Sequence, residues 1–288
     1  MKKIILLLLL LAVNYNSFAV SKEDKERESS YLLQIKNEND SDAMFDLGLL
    51  YDEQEKYDLA EKYYLMAVKY NNGSAMTNLG LIYENQKKYD LAEKYYLMAV
   101  EEESDTGMYN LGLLYDNQKK YTLAEKYYLM AIQKNYSDAM YNLALLYDNQ
   151  EKFSLAEKYY LMAIKENDSD AMYNLALIYD NQKKYPLAEK YYLMAVEAND
   201  SDATFNLALL YDNQKKYNLA EKYYLIAVKD NSTKAMYNLG ILYKIQKKFS
   251  LAEKYYLMAI KNNSSDAMFN LGLLYDEQGK YDLAEKYY

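Results

Sequence analysis

The side chains of this sequence with the means to do chemistry are carboxylates, lysines and tyrosines, set out at one fixed interval. The string Leu-Ala-Glu-Lys-Tyr-Tyr starts at Leu59, Leu91, Leu123, Leu155, Leu187, Leu219, Leu251 and Leu283, each 32 residues after the last. A Glu beside a Lys and two Tyr holds groups used in acid–base catalysis, but it lacks companions. The sequence contains no His and no Cys. It therefore has no imidazole base, no thiol nucleophile, no disulfide and no Cys/His zinc site. No glycine-rich phosphate loop occurs. A structural role accounts for the Glu column, because Asp58-x-x-Glu61 reads as a capping box opening a helix. Its cap column runs Asp58, Asp90, Thr122, Ser154, Pro186, Asn218, Ser250 and Asp282. Pro186 cannot cap with its side chain but suits a first helical turn. No catalytic residue, no metal ligand and no cofactor are expected.

The 38 tyrosines fall mostly in the columns of Phe45, Tyr51, Tyr57, Tyr63 and Tyr64, where packing explains them. Asn-x-Ser/Thr recurs at Asn39, Asn72, Asn135, Asn167, Asn199, Asn231 and Asn263. In a eukaryotic secretory path that would be a glycosylation array. The simpler reading is that Asn closes one helix in the left-handed conformation, and the Ser or its neighbour caps the next.

These columns must be carried by repeating elements, and a period of this length signals a solenoid. In the first copy, Ser41–Asn72, the residues Ala43, Met44, Leu47, Leu50, Tyr51 and Gln54 share one helical face. Phe45, Asp46, Leu49 and Asp52 lie opposite. This is helix A, about twelve residues long. Helix B starts at Asp58, with Leu59, Ala60, Tyr63, Tyr64, Ala67 and Val68 on one face. The link between them is short enough to force an antiparallel pair. One pair cannot bury its apolar face alone, so neighbouring pairs must stack.

Ala-Met-Tyr-Asn-Leu-Gly/Ala-x-x-Tyr followed by Tyr-x-x-Ala-x-x-x-Tyr-x-x-Ala resembles the tetratricopeptide repeat. In copy one the matching positions are Met44, Leu47, Gly48, Tyr51, Ala60, Tyr64 and Ala67. The junctions between copies are similar to the Sel-one-like branch of that superfamily. The unit departs in being shorter, in lacking the late Pro, and in carrying glycine after helix A only at Gly279. The resemblance implies an all-α, right-handed α-solenoid of stacked antiparallel pairs over 41–288, with seven full repeats and a truncated eighth. It also implies partner binding in a concave groove lined by the outer faces of the A helices. Carried over by column, the groove aromatics are Phe45, Tyr109, Tyr141, Tyr173, Phe205, Tyr237 and Phe269, with Thr77 the exception. Beside them runs a ladder of Asn78, Asn110, Asn142, Asn174, Asn206, Asn238 and Asn270, with Leu49 and its equivalents close by. Asn offers a donor and an acceptor to an extended peptide.

In the seventh unit the groove columns change sign. Lys234 and Lys244 replace acidic residues, and Ile245 replaces Asn or Glu. That polarises an otherwise acidic face. On the outer side of helix B a second candidate surface is an outward row of leucines, among them Leu97, Leu129, Leu161 and Leu193.

Lys2-Lys3, the apolar run Ile4–Val13 and Ser17-Phe18-Ala19 read as a signal peptide over 1–19. The run is too short to span a bilayer, so no membrane insertion follows cleavage. Residues 20–40 read as a charged capping helix or leader. The formal net charge of −9 becomes −11 without Lys2 and Lys3, and Arg27 is the only arginine. This balance argues against nucleic acid and anionic membranes as partners. Three readings fit a periplasmic, secreted or cell-surface chain of this kind. The first is a scaffold binding protein or peptide segments. The second is a self-associating envelope repeat protein. The third is a Sel-one-like activator of an envelope polysaccharide enzyme.

Overall fold

The computed structural model describes residues 21–288, so the segment read as a signal peptide lies outside the described residues. Those residues form seventeen α-helices and no strand. Helix α1 is Lys22–Glu38. The A helices are α2 (Ser41–Glu53), α4 (Gly73–Asn85), α6 (Asp105–Asn117), α8 (Asp138–Asp148), α10 (Ser169–Asn181), α12 (Ser201–Asn213), α14 (Thr233–Ile245) and α16 (Ser265–Glu277). The B helices are α3 (Tyr57–Val68), α5 (Tyr89–Glu101), α7 (Tyr121–Gln133), α9 (Phe153–Lys165), α11 (Tyr185–Glu197), α13 (Tyr217–Lys229), α15 (Phe249–Lys261) and α17 (Tyr281–Ala284). The described residues divide into two compact units, one ending at Leu146 and the other running over Tyr147–Tyr288. Within each, A helices pack on the B helix that follows, and B helices on the next A helix. No helix among the described residues is long and apolar enough to cross a membrane.

The helical periodicity places the core where expected. Ala43, Met44, Leu47, Leu50 and Tyr51 of α2 are buried against Ala60, Tyr64 and Ala67 of α3. The Tyr64 column holds the largest fully buried side chains. Its rings demand a small partner: a Cβ on Gly48 would stand 2.6 Å from the Tyr64 ring. Helix α1 buries no residue. It is held on α2 by the Tyr51 hydroxyl donating to Glu28 Oε1 at 2.7 Å and by Arg27 at 3.6 Å from Glu53.

Both turns of the repeat close through one left-handed residue. After the B helices this residue is Asn71, Asn135, Asn167, Asn199, Asn231 or Asn263, with Glu103 standing in once. The next side chain caps the A helix: Asp40, Asn72, Ser104, Asp168, Asp200, Ser232 and Ser264 each accept from the backbone N–H three residues on. After the A helices the left-handed residue is Glu55, Lys87, Lys119, Glu151, Lys183, Lys215 or Lys247, at φ of 58–59°. Only Gly279 meets that requirement without strain. The expected capping box is not formed. The B helices begin one residue early, at Tyr57 and its equivalents, and the residue before each, Lys56 and its column, makes no side-chain cap. Asp58 thus sits inside the first turn, as does Pro186. The cause is the turn itself: Lys56 N–H bonds back to Tyr51 O at 2.8 Å, which delivers the chain straight into the helix.

Leu59 also departs from expectation. It is 38% exposed, and its column stays exposed from Leu91 to Leu283. A helical wheel treats a helix as endless, whereas Leu59 lies in an end turn that no neighbour covers. The Leu65 column, read as outward, is instead half-buried at Leu97, Leu129, Leu161 and Leu193. Leu257 alone in that column is exposed, at 39%.

Candidate functional site

The Glu column couples successive pairs. Tyr83 donates to Glu61 Oε1 at 2.6 Å, Tyr115 to Glu93 at 2.8 Å, and Tyr211, Tyr243 and Tyr275 to Glu189, Glu221 and Glu253 at 2.9 Å. Burial first, and the carboxylate second, push these hydroxyls well above the ordinary tyrosine range. They stay protonated and donate. The Tyr83, Tyr115, Tyr211 and Tyr243 rings each stack on a B-helix tyrosine, as Tyr83 does on Tyr95 at 5.4 Å, with Lys88 over the first ring and Lys94 over the second, whereas Tyr275 is tilted against Tyr287. Sequence reasoning missed this clamp because its partners stand 22 residues apart. The signal was present in the shared period of the Tyr51 and Glu61 columns.

From Phe45 to Tyr237 the aromatic column of the A helices is half-exposed and seated on buried tyrosines, whereas Phe269 is exposed and packs on the exposed Tyr288. In the first unit Phe45 packs on Tyr64 at 5.8 Å and Tyr109 on Tyr128 at 6.2 Å. In the second, Tyr173, Phe205 and Tyr237 pack on Tyr192, Tyr224 and Tyr256 at 6.1–6.2 Å. Tyr141 shares the half-exposed class.

The Asn ladder does not stand free. Asn142 Nδ2 donates to the Tyr109 hydroxyl and to Asp138 O, both at 3.0 Å. Asn206 does the same with Tyr173 and Asp202, and Asn270 with Tyr237 and Asp266. Asn174 bonds Asp170 O. The amide donors are therefore spent inside the fold, and the Oδ1 acceptors of Asn142, Asn206 and Asn270 carry the face's remaining polar capacity. The arrangement needs a tyrosine one copy back. Where Thr77 or Phe205 stands there, Asn110 and Asn238 make no side-chain hydrogen bond among the described residues.

In the seventh unit Lys244 is no open docking cation. Its Nζ lies 2.7 Å from Glu277 Oε1. Lys244 also removes the carboxylate that this column offers the buried tyrosine: Tyr96 reaches Glu84 at 2.8 Å and Tyr224 reaches Asp212 at 3.4 Å. The Tyr256 hydroxyl is buried without a partner, but so is that of Tyr192, whose column carries Asp180. Lys234 is exposed and forms no ion pair among the described residues, and Ile245 is 56% exposed. Leu49 is half-buried.

A family model described as the tetratricopeptide repeat matches residues 45–107, 141–204, 205–267 and 246–288, and a second of the same description matches 105–133. No curated protein matches the chain. Among solved structures, a protective antigen of uropathogenic Escherichia coli displaying an SLR fold superposes with a TM-score of 0.68 at 19% identity. That match covers 90% of this chain but only 65% of the antigen's length. A Sel1 repeat protein from Oxalobacter formigenes gives 0.57 at 24% identity, covering 75% of this chain and 96% of that one. The C-terminal part of a TPR repeat-containing protein from Cytophaga hutchinsonii gives 0.64 at 19%, covering 78% and 98%.

Proposed function

Because the chain belongs to the tetratricopeptide repeat family, whose folds generally serve as non-catalytic scaffolds for protein–protein interaction, we propose that it is an exported scaffold that binds a peptide or protein segment on the outer faces of its A helices. The observation that carries this is the state of that face. From Phe45 to Tyr237 its aromatics are half-exposed but seated on buried rings, and its amides are anchored with an acceptor still available. Groups fixed before binding cost little to order on binding. The leader sequence supports the export part of this reading, and the compartment proposed is periplasmic or secreted/cell surface.

The test is photo-cross-linking in the native host from Phe269 and Ile245, both exposed on A helices, with exposed Lys254 on α15 as the control. A discrete adduct from the A-face positions and none from Lys254 is the expected result. Adducts from Lys254 alone would sink the A-face reading.

A second reading, self-association, draws on the exposed Leu59 column, which puts one leucine at the same turn edge in every copy. Changing Leu123 and Leu155 to Lys should then lower the sedimentation coefficient of an associating parent. An unchanged coefficient removes this reading.

A further inference from the structure

Two departures from the repeat meet in the first unit, between α2 and α4. The first is Phe45. It offers no hydroxyl to the amide of the following copy, and Asn78 Nδ2 donates to the Tyr64 hydroxyl at 3.1 Å, whereas at Phe205 of the same column Asn238 makes no such bond and Tyr224 still reaches Asp212. In the next two copies the equivalent tyrosines donate to the carboxylate of their own pair, Tyr96 to Glu84 at 2.8 Å and Tyr128 to Asp116 at 3.5 Å. Tyr64 makes no such bond, and Asp52 is left with neither a hydrogen-bond donor nor a cation among the described residues.

The second departure is Thr77, where other copies carry a ring. Its hydroxyl points inward to Gly73 O at 3.0 Å and Ser104 Oγ at 3.2 Å. Helix α4 is drawn onto α6 through small residues: a Cβ on Gly107 would stand 2.6 Å from Ala99 Cβ and 3.2 Å from Thr77 Oγ1. With no ring above it, Leu81 is 39% exposed, while Leu49, Leu113 and Leu145 of the same column are half-buried.

The result is a cavity of about 520 Å³ between α2 and α4, with Leu81, Ile82 and Tyr57 as its apolar lining and Asp52 as its charge. Asn78, Asn85 and Gln86 complete it with amide groups, and no Lys or Arg lines it. Burial raises the Asp52 carboxyl above its ordinary range, with Glu53 adding to the effect. A half-buried carboxylate without a partner is costly, and an incoming cation would remove that cost. In an extended peptide, side chains two residues apart share one face, about 6.6 Å apart.

We propose that this cavity is a recognition site for an extended peptide segment carrying a bulky apolar residue and, two positions away, a Lys or Arg. The apolar side chain occupies the Leu81–Ile82–Tyr57 surface, the cation pairs with Asp52, and Asn78 Oδ1 accepts a peptide N–H. The proposal rests on the A-face reading given above and names the chemistry of one partner segment.

The test uses the full chain and two fluorescein-labelled octapeptides in a glycine–serine frame. One carries leucine and, two places on, lysine; the other carries glutamate in place of that lysine. Fluorescence polarisation at low and high salt should show binding of the first only. Asp52→Asn should weaken it about fivefold and flatten its salt dependence. Leu81→Lys should weaken it about tenfold, by repulsion and lost apolar contact. Circular dichroism melts confirm that each variant is folded. Equal binding of the glutamate peptide, or binding indifferent to Asp52→Asn, overturns the site. So does absence of peptide binding while Phe269 still cross-links a partner, which leaves the A-face reading standing. Absence of both binding and adducts removes the two together.

Discussion

The two turns of each repeat close alike and are provisioned differently. At both, one left-handed residue lets the next N–H bond back to a helix carbonyl: Asp200 N–H to Ala195 O at 3.0 Å in one, Lys216 N–H to Tyr211 O at 2.8 Å in the other. The first has Asn199 in the left-handed site, then Asp200 capping α12. Asn tolerates that conformation, and the cap satisfies an otherwise orphan donor. The second has Lys215 at φ 59° and no side-chain cap on α13. Local sequence supports the first turn. The second is imposed by what surrounds it: Lys216 lies 5.4 Å from the Tyr211 ring centre and 3.5 Å from Glu189, the carboxylate that Tyr211 also bonds.

The comparison breaks most completely if closure is forbidden at either turn. Proline fixes φ near −65°, so Lys215→Pro and Asn199→Pro should each cost about 3 kcal/mol or more in urea unfolding. Equal mild losses would mean the left-handed residue is dispensable. Next in size is the clamp that holds the second turn. Tyr211→Phe should cost about 1.5 kcal/mol, since Glu189 then loses a charge-assisted donor. It should also change the alkaline limb. Tyr211 binds its proton more tightly folded than unfolded, so its contribution is full below about pH 10 and declines as pH rises above that. The Phe variant, lacking this group, should lose stability less steeply there, and an unaltered limb would refute the clamp's part in it.

Smaller effects sharpen the contrast. Asp200→Ala should cost about 1 kcal/mol, the usual worth of a helix cap. Asn218→Ala, at the position that the spacing marks as the cap of α13, should shift the midpoint by only a few tenths of a kcal/mol. Comparable losses would restore the capping box. Smallest in magnitude and opposite in sign, Lys215→Gly should stabilise by about 0.5–1 kcal/mol by relieving the left-handed strain. Asn199→Gly should gain less.

The same contrast explains what could be read from the residues alone. Helix pairing, the buried faces of Leu47 and Tyr64, and the closing asparagines rest on local periodicity and single-residue preference, and these were legible. The role of Glu61 was not, because its partner Tyr83 belongs to the next copy and a nearer explanation competed. Leu59 and Leu65 exchanged environments because coverage depends on where an end turn falls, which periodicity does not encode. The Asn ladder was located, but the donors of Asn142, Asn206 and Asn270 are engaged by tyrosines a full copy away. The cavity at Asp52 was hidden differently. Its charge, Asp52, and its apolar lining, Leu81 and Ile82, come from successive copies, and no local pattern marks the space they share.

The clamps have a consequence for how the chain reaches its folded state. Tyr–Glu partners stand 22 residues apart and Asn–Tyr partners 33. Apart from the 14-residue link of Asn78 to Tyr64, every bond of these two kinds between copies thus closes a loop of one of two modest lengths. Closure entropy grows only with the logarithm of loop length, so no copy is kinetically privileged. Low contact order of this sort favours fast folding. Any adjacent pair can serve as a nucleus, and each further copy adds to it at an equal entropic step.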